Sequence, residues 1–130
     1  MSKSGELEKQ VNDLEFAFQK FAQVCKLIDS PITTHSTIQR FEAAFAAFWH
    51  TMCMILESRG LLPDSKPETI QMAHEMQLLQ TVSIWSDMLK DVELENTNSG
   101  TPLDEYYARI RKIYFPEMND SLVCIKEKTI

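Results

Sequence analysis

Residues 38–60, IQRFEAAFAAFWHTMCMILESRG, constrain the fold of this chain more than any other stretch. Ile38, Phe41, Phe45, Phe48, Met52 and Ile55 recur at steps of three, four, three, four and three, which places all six on one stripe of an α-helix. Ala44, Trp49, Cys53 and Leu56 lie beside the stripe and widen it. A helix apolar over that much of its circumference has to be covered by protein. It is the central helix of a bundle, half of a dimer interface, or both. Arg40 and Glu42 sit beside the aromatic face.

The flanking sequence supplies partners of the same kind. Leu7, Val11, Leu14, Phe18, Phe21, Cys25 and Ile28 follow steps of four and three, predicting a first helix over about 6–28 with the packing of an antiparallel bundle. Asp29-Ser30-Pro31 reads as its stop, because a residue before proline is pushed out of helical geometry. Ser36 and Gln39 have capping-box spacing and predict the start of the second helix, and Gly60 marks its left-handed end. Ser65, Pro67 and Glu68 predict a third helix running to about 79, with Ile70, Ala73 and Met76 inward. A fourth, over about 82–92, turns Trp85, Met88 and Leu89 inward; the break at Gln80-Thr81 is weak, so the two could be one bent helix. Residues 93–101, ELENTNSGT, read as a polar loop. Thr101-Pro102-Leu103-Asp104 opens the last helix, with Leu103, Tyr107, Ile110 and Tyr114 on one face. Pro116 predicts a kink, and Met118, Leu122 and Ile125 extend the stripe. The expectation is an all-α, antiparallel up-and-down four-helix bundle with one additional short helix, a single domain over 1–130.

Composition limits what such a bundle can do. The 130 residues are enough for one core, and three glycines favour long helices over a sheet rich in turns. The net charge of −6 opposes nucleic acid except at a local basic patch. The nearest such patch is Arg109, Arg111 and Lys112, most simply a solvated face. Cys25, Cys53 and Cys124 are odd in number and widely spaced, and are read as reduced, mostly buried thiols of a cytoplasmic protein. The N-terminus lacks the apolar segment of a signal peptide. The longest nearly apolar run, residues 43–56, is too short to span a bilayer, which takes roughly 20 residues.

Catalytic and metal-binding patterns are missing from the sequence. His50 and Cys53 lie one turn apart, but two ligands do not make a zinc site, and no metal or cofactor is expected. There is no nucleophile elbow, phosphate loop or dinucleotide fingerprint.

With the helices laid out, the motifs resemble one family. R-F-E-x-x-F-x-x-x-W-x-T over 40–51, then Leu56, Glu57 and Gly60, is similar to the bacterial nucleotidyltransferase substrate-binding proteins of the HEPN superfamily of helical bundles. S-x-P-E-x-I-x-x-A over 65–73, W-x-x-M-L-x-D over 85–91 and I-x-x-x-Y-x-P over 110–116 follow in the family's order. The resemblance implies a homodimer and a partner, a small separately encoded nucleotidyltransferase in a toxin–antitoxin type of pairing. It leaves a nucleotide or an RNA as a possible ligand. Active relatives carry an Arg and, four to six residues later, a His just after the W-x-x-M-L-x-D segment, forming a metal-independent ribonuclease site. Here Val92 stands at the Arg position and Asn96 or Thr97 at the His position, so the R-x(4–6)-H motif is degenerate. Cleavage of that kind needs a proton-transfer group and a cation for the developing phosphate charge, and these residues supply neither.

The leading expectation is therefore a non-catalytic subunit that binds substrate and partner, not an enzyme, with Arg40, Glu42, Trp49, His50, Asp91 and Tyr107 as groove candidates. Two alternatives stand beside it. One is a diverged HEPN ribonuclease using Arg109, Arg111 and His50; the other is a structural dimer that has lost its activity. A further sign of a dimer is the number of large aromatics in the first two helices, Phe16, Phe18, Phe21, Phe41, Phe45, Phe48 and Trp49, more than those helices can bury against each other.

Overall fold

The computed structural model describes residues 3–27, 30–96 and 103–129, and among these no strand occurs. The elements are α1 (Lys3–Cys25), α2 (Pro31–Ser58), α3 (Lys66–Glu75), α4 (Val82–Asn96), α5 (Leu103–Arg109), a π-helical turn (Ile110–Tyr114) and α6 (Phe115–Lys128). One hydrophobic core draws on side chains from Val11 to Ile125.

α2 behaves as its stripe requires. Ile38, Phe41, Phe45, Phe48, Met52 and Ile55 are all buried. α1 lies along α2 and runs the opposite way. Gln10 donates to Thr51 Oγ1 at 3.2 Å, Phe18 meets Phe48 edge-on at 6.2 Å, and Phe21 meets Phe41 at 5.8 Å. Much of the aromatic surface of the first two helices is covered by the later ones. Phe115 stacks on Phe18 at 5.4 Å, Tyr114 on Phe41 at 5.4 Å, and Trp85 packs on Phe45 and Phe48. Two stay uncovered: Phe16 is 64% exposed beneath the Lys20 ammonium, and Trp49 is half-buried.

Several boundaries differ from the sequence reading. Ser30-Pro31 starts α2 instead of ending α1. Ser30 is extended, its Oγ accepts from Thr33 N at 3.1 Å, and Pro31 occupies the first turn, where a missing N–H is harmless. Ser36 and Gln39 thus lie inside the helix. α1 ends at Cys25; Ile28 and Asp29 lie outside the described residues.

Two helices end in the same Schellman geometry. After α2, Leu61 N donates to Leu56 O and Gly60 N to Glu57 O, with Gly60 at φ +76°. After α3, Leu78 N donates to Ala73 O and Gln77 N to His74 O, and Gln77 takes the left-handed position at φ +62°. α3 therefore stops at Glu75 rather than near 79, and α3 and α4 are separate helices. The turn carries Leu78 and Leu79 into the core, which offsets the strain of a side chain in left-handed backbone.

The start of α4 is held by a residue far along the chain. Glu117, buried on α6, accepts from Gln80 N at 3.2 Å, Thr81 N at 2.9 Å and Trp85 Nε1 at 3.1 Å. A carboxylate at a helix N-terminus satisfies orphan amides and opposes the positive end of the dipole. α4 continues to Asn96, so the first part of the predicted 93–101 loop is helical; residues 97–102, with the Thr101-Pro102 start signal, lie outside the described residues.

The disturbance expected at Pro116 falls before it, as the π turn, where Phe115 N donates to Ile110 O. The ring of Pro116 would clash with an α-helical turn ahead of it, and the wider turn relieves this. Tyr106, Ile110 and Tyr114 form the buried face. Tyr107, placed there by the sequence reading, is half-buried, and Leu103 is exposed.

Candidate functional site

A groove of about 400 Å³ runs between α2 and α4. Phe45, Ala46, Trp49, His50 and Cys53 line one wall, Leu89, Val92 and Glu93 the other, and Lys66 of α3 reaches its rim. The walls follow from helical periodicity. On α2, residues 45, 46, 49, 50 and 53 adjoin the core stripe on one side. On α4, the 89–92–93 face is next to the buried Trp85 and Met88. Trp49 is half-buried with its ring 5.8 Å from that of Phe45, so the floor is aromatic. Lys66 Nζ and Glu93 Oε2 pair at 2.9 Å, both half-exposed, a contact that orients the rim and stabilises it little.

Burial, and secondarily Glu57, push the Cys53 thiol above its usual range, so it is protonated at neutral pH and a poor nucleophile. His50 is exposed and has no hydrogen-bond partner among the described residues. The groove can hold an apolar or aromatic group against Trp49, with polar contacts at its edge. It contains no oriented base–nucleophile pair.

Of the six candidate groove residues, the structure brings only Trp49 and His50 together. Asp91 is buried on the opposite side of α4. Its carboxylate takes a bidentate contact from Arg109, Nε to Oδ2 at 2.9 Å and Nη2 to Oδ1 at 2.8 Å, and a hydrogen bond from Tyr114 OH. The neighbouring carboxylate raises the Arg109 pKa further, while burial first and Asp91 second raise that of Tyr114, so both remain protonated. Glu42 accepts from Tyr106 OH at 2.9 Å. Tyr107 OH accepts from Arg111 Nη1 at 2.6 Å. Arg40 lies on an exposed face toward the start of α2, in a different groove.

The Arg109–Lys112 segment is not a solvated basic face. Arg109 is committed to Asp91, and Arg111 Nη2 donates to Cys25 O at 2.6 Å, capping the end of α1. With these guanidinium groups engaged and His50 in the α2/α4 groove, the set suggested for a diverged nuclease is not assembled. The three thiols are half-buried rather than mostly buried; burial pushes Cys25 up to about 11 against the opposing pull of Arg111.

The sequence reading missed Lys66, Leu89, Val92 and Glu93 as groove residues. Reading Leu89, Val92 and Glu93 at steps of three and one as a second face of α4 would have found them; the terminal Lys66 gave no signal. Among the described residues, no group of three or more His, Cys, Asp or Glu side chains is placed to hold a metal ion. Among the described residues, no helix is long and apolar enough to cross a membrane.

Residues 5–126 match the family described as nucleotidyltransferase substrate binding protein like, and the chain belongs to that family. Among curated proteins, none matches it.

Proposed function

We propose that this member of the family is a non-catalytic, ligand-binding partner of a small, separately encoded nucleotidyltransferase. It acts as a homodimer of up-and-down bundles in a toxin–antitoxin type of pairing, inside the cytoplasm. The α2/α4 groove is the ligand site: Trp49 forms the floor, and His50, Lys66 and Glu93 supply edge contacts.

The observation that carries this reading is the position of Val92. It stands where the resemblance calls for a catalytic arginine, and it lines an apolar wall with Leu89 opposite Trp49. An active site at this place would need a cation free to meet the phosphate and an oriented proton-transfer group; Lys66 is paired with Glu93, and His50 has no hydrogen-bond partner to orient it among the described residues. An apolar wall favours holding a ligand over cleaving one. The family description supports the transferase partner.

Light scattering during size-exclusion chromatography tests the assembly, first on the chain alone and then with the nucleotidyltransferase encoded nearest to it. The proposal expects a dimer alone and a larger complex with the transferase. A monomer at high concentration, or a chain that elutes unchanged beside the transferase, would overturn it. RNA cleavage lost on mutating the 91–98 segment would overturn the non-catalytic part.

A further inference from the structure

Two helix ends share one geometry and differ in the residue that makes it. Gly60 takes the left-handed position after α2, at φ +76°, and Gln77 takes it after α3, at φ +62°. Glycine is the residue this backbone favours, so a side chain kept there is kept at a cost in stability. A carbon added at Gly60 would meet nothing within 4 Å. The Gln77 side chain, in contrast, lines a cavity of about 360 Å³. The end of α3 and the turn after it supply one wall, with His74, Leu79 and Gln80 beside Gln77. The last turns of α6 supply the other, with Cys124, Glu127 and Lys128.

The two walls are tied together and anchored to the core. Lys128 Nζ donates to Gln77 Oε1 at 3.0 Å, and Gln80 Nε2 approaches Cys124 Sγ at 3.9 Å. Leu79 is buried, and Glu117 holds Gln80 N at 3.2 Å. The cavity is thus formed before any ligand arrives. Its lining sorts ligands by charge. Glu127 opposes an isolated anion, and Lys128 opposes an isolated cation. Among the described residues, His74, Cys124 and Glu127 do not come together as metal ligands. An apolar molecule would meet only Leu79 and a thiol. A molecule carrying both charges is answered at each end. Lys128 keeps two N–H groups beyond its bond to Gln77, and Glu127 and His74 have no other partner among the described residues.

We propose that the cavity between the α3–α4 turn and the end of α6 is a binding site for a small dipolar molecule of the free amino-acid class. Lys128 and His74 donate to its carboxylate, and Glu127 accepts from its ammonium. The Gln77 and Gln80 carboxamides donate and accept at the remaining polar atoms, and Leu79 offers an apolar surface to its side chain. The site is separate from the α2/α4 groove and stands whether or not that groove takes a ligand.

Heteronuclear amide NMR on the intact chain tests it. The probes are the protein amino acids, first pooled and then singly at millimolar concentration, with acetate and methylammonium as carriers of one charge each. The expected result is saturable shifts centred on the amides of residues 74–80 and 124–128 with at least one amino acid, and none with acetate or methylammonium alone. Affinity should fall about tenfold or more in Glu127→Gln/Lys128→Gln, since each charge-assisted contact is worth about a factor of ten, and be unchanged in Lys20→Gln. Gln77→Gly should melt higher than the wild type and yet bind more weakly, a pairing that a purely structural glutamine would not give. The proposal is overturned by the absence of shifts with every amino acid, or by equal shifts with acetate or methylammonium. Shifts centred on the α2/α4 groove instead, or undiminished binding by Gln77→Gly or by the double variant, would overturn it as well.

Discussion

The α1–α2 hairpin and the α3–α6 half share one core but are held differently. In the hairpin, apolar side chains at helical spacing interlock: Phe18, Phe21, Phe41 and Phe48 meet within about two turns of each other. In the second half, two buried carboxylates make the long-range connections. Glu117 joins α6 to the start of α4, and Asp91 joins α4 to the end of α5 through Arg109 and to the π turn through Tyr114. Apolar packing is non-directional and tolerates changes of shape that keep volume. A carboxylate serving several buried donors does not, because removing it strands all of them.

The largest effect that sharpens this contrast is expected at Glu117. Glu117→Met keeps the volume but leaves Gln80 N, Thr81 N and Trp85 Nε1 without their acceptor, at a cost of about 3–5 kcal/mol. Ile55→Val, an apolar trim in the hairpin, costs about 0.5–1.5 kcal/mol. Urea denaturation of both variants measures this; equal losses would erase the distinction between the halves. Asp91→Asn comes next, at about 1–3 kcal/mol, because the amide cannot answer Arg109 in the same bidentate way and Arg109 is partly solvated. The loss should be smaller than at Glu117 in the same assay.

A smaller effect separates the two Schellman ends. Gln77→Gly relieves a left-handed side chain and should stabilise by about 0.5–1 kcal/mol, after allowing for the lost Lys128 contact. Gly60→Ala, with open space around the added carbon but φ at +76°, should destabilise by about 1 kcal/mol. Opposite signs in thermal melts are the expected outcome.

The smallest concerns pH. Burial raises Cys25 from 9.0 to about 11. The folded chain therefore holds this proton where the unfolded chain releases it. The stability linked to it is fully present below pH 9 and declines as pH rises toward about 11. Cys25→Ala should flatten that part of the stability profile in chemical denaturation between pH 8 and 11, with the model-compound thiol as lower limit.

Legibility in the sequence divides along the same line. Ile38 to Ile55, Val11 to Phe21 and Met118 to Ile125 announce their burial by spacing alone, because a helical stripe is a local pattern. Gly60 announces its turn because glycine is the residue that left-handed backbone favours. Gln77 takes the same conformation unannounced, since what holds it there is the burial of Leu78 and Leu79. Glu117 accepts from Thr81 N, 36 residues earlier at the approach to α4, and no local pattern records such a partner. Ser30-Pro31 was visible but ambiguous: the same pair that stops one helix can start the next. For the candidate site, Trp49 and His50 were named from the α2 motif. The same family resemblance groups Arg40, Glu42, Asp91 and Tyr107 with them, yet helical geometry turns Glu42 toward Tyr106, Asp91 toward Arg109 and Tyr107 toward Arg111, and leaves Arg40 on an exposed face.

As proposed, this chain holds a ligand for a nucleotidyltransferase in the α2/α4 groove. The most direct measurement is the rate of nucleotidyl transfer by that transferase, alone, with the wild-type chain and with Trp49→Ala. The wild-type chain is expected to change the rate. Trp49→Ala, still folded and still co-eluting with the transferase, should reduce that change by about tenfold or more, the scale of a buried tryptophan anchor. An undiminished effect from Trp49→Ala would contradict the groove assignment, and a rate indifferent to the chain would contradict the partnership itself.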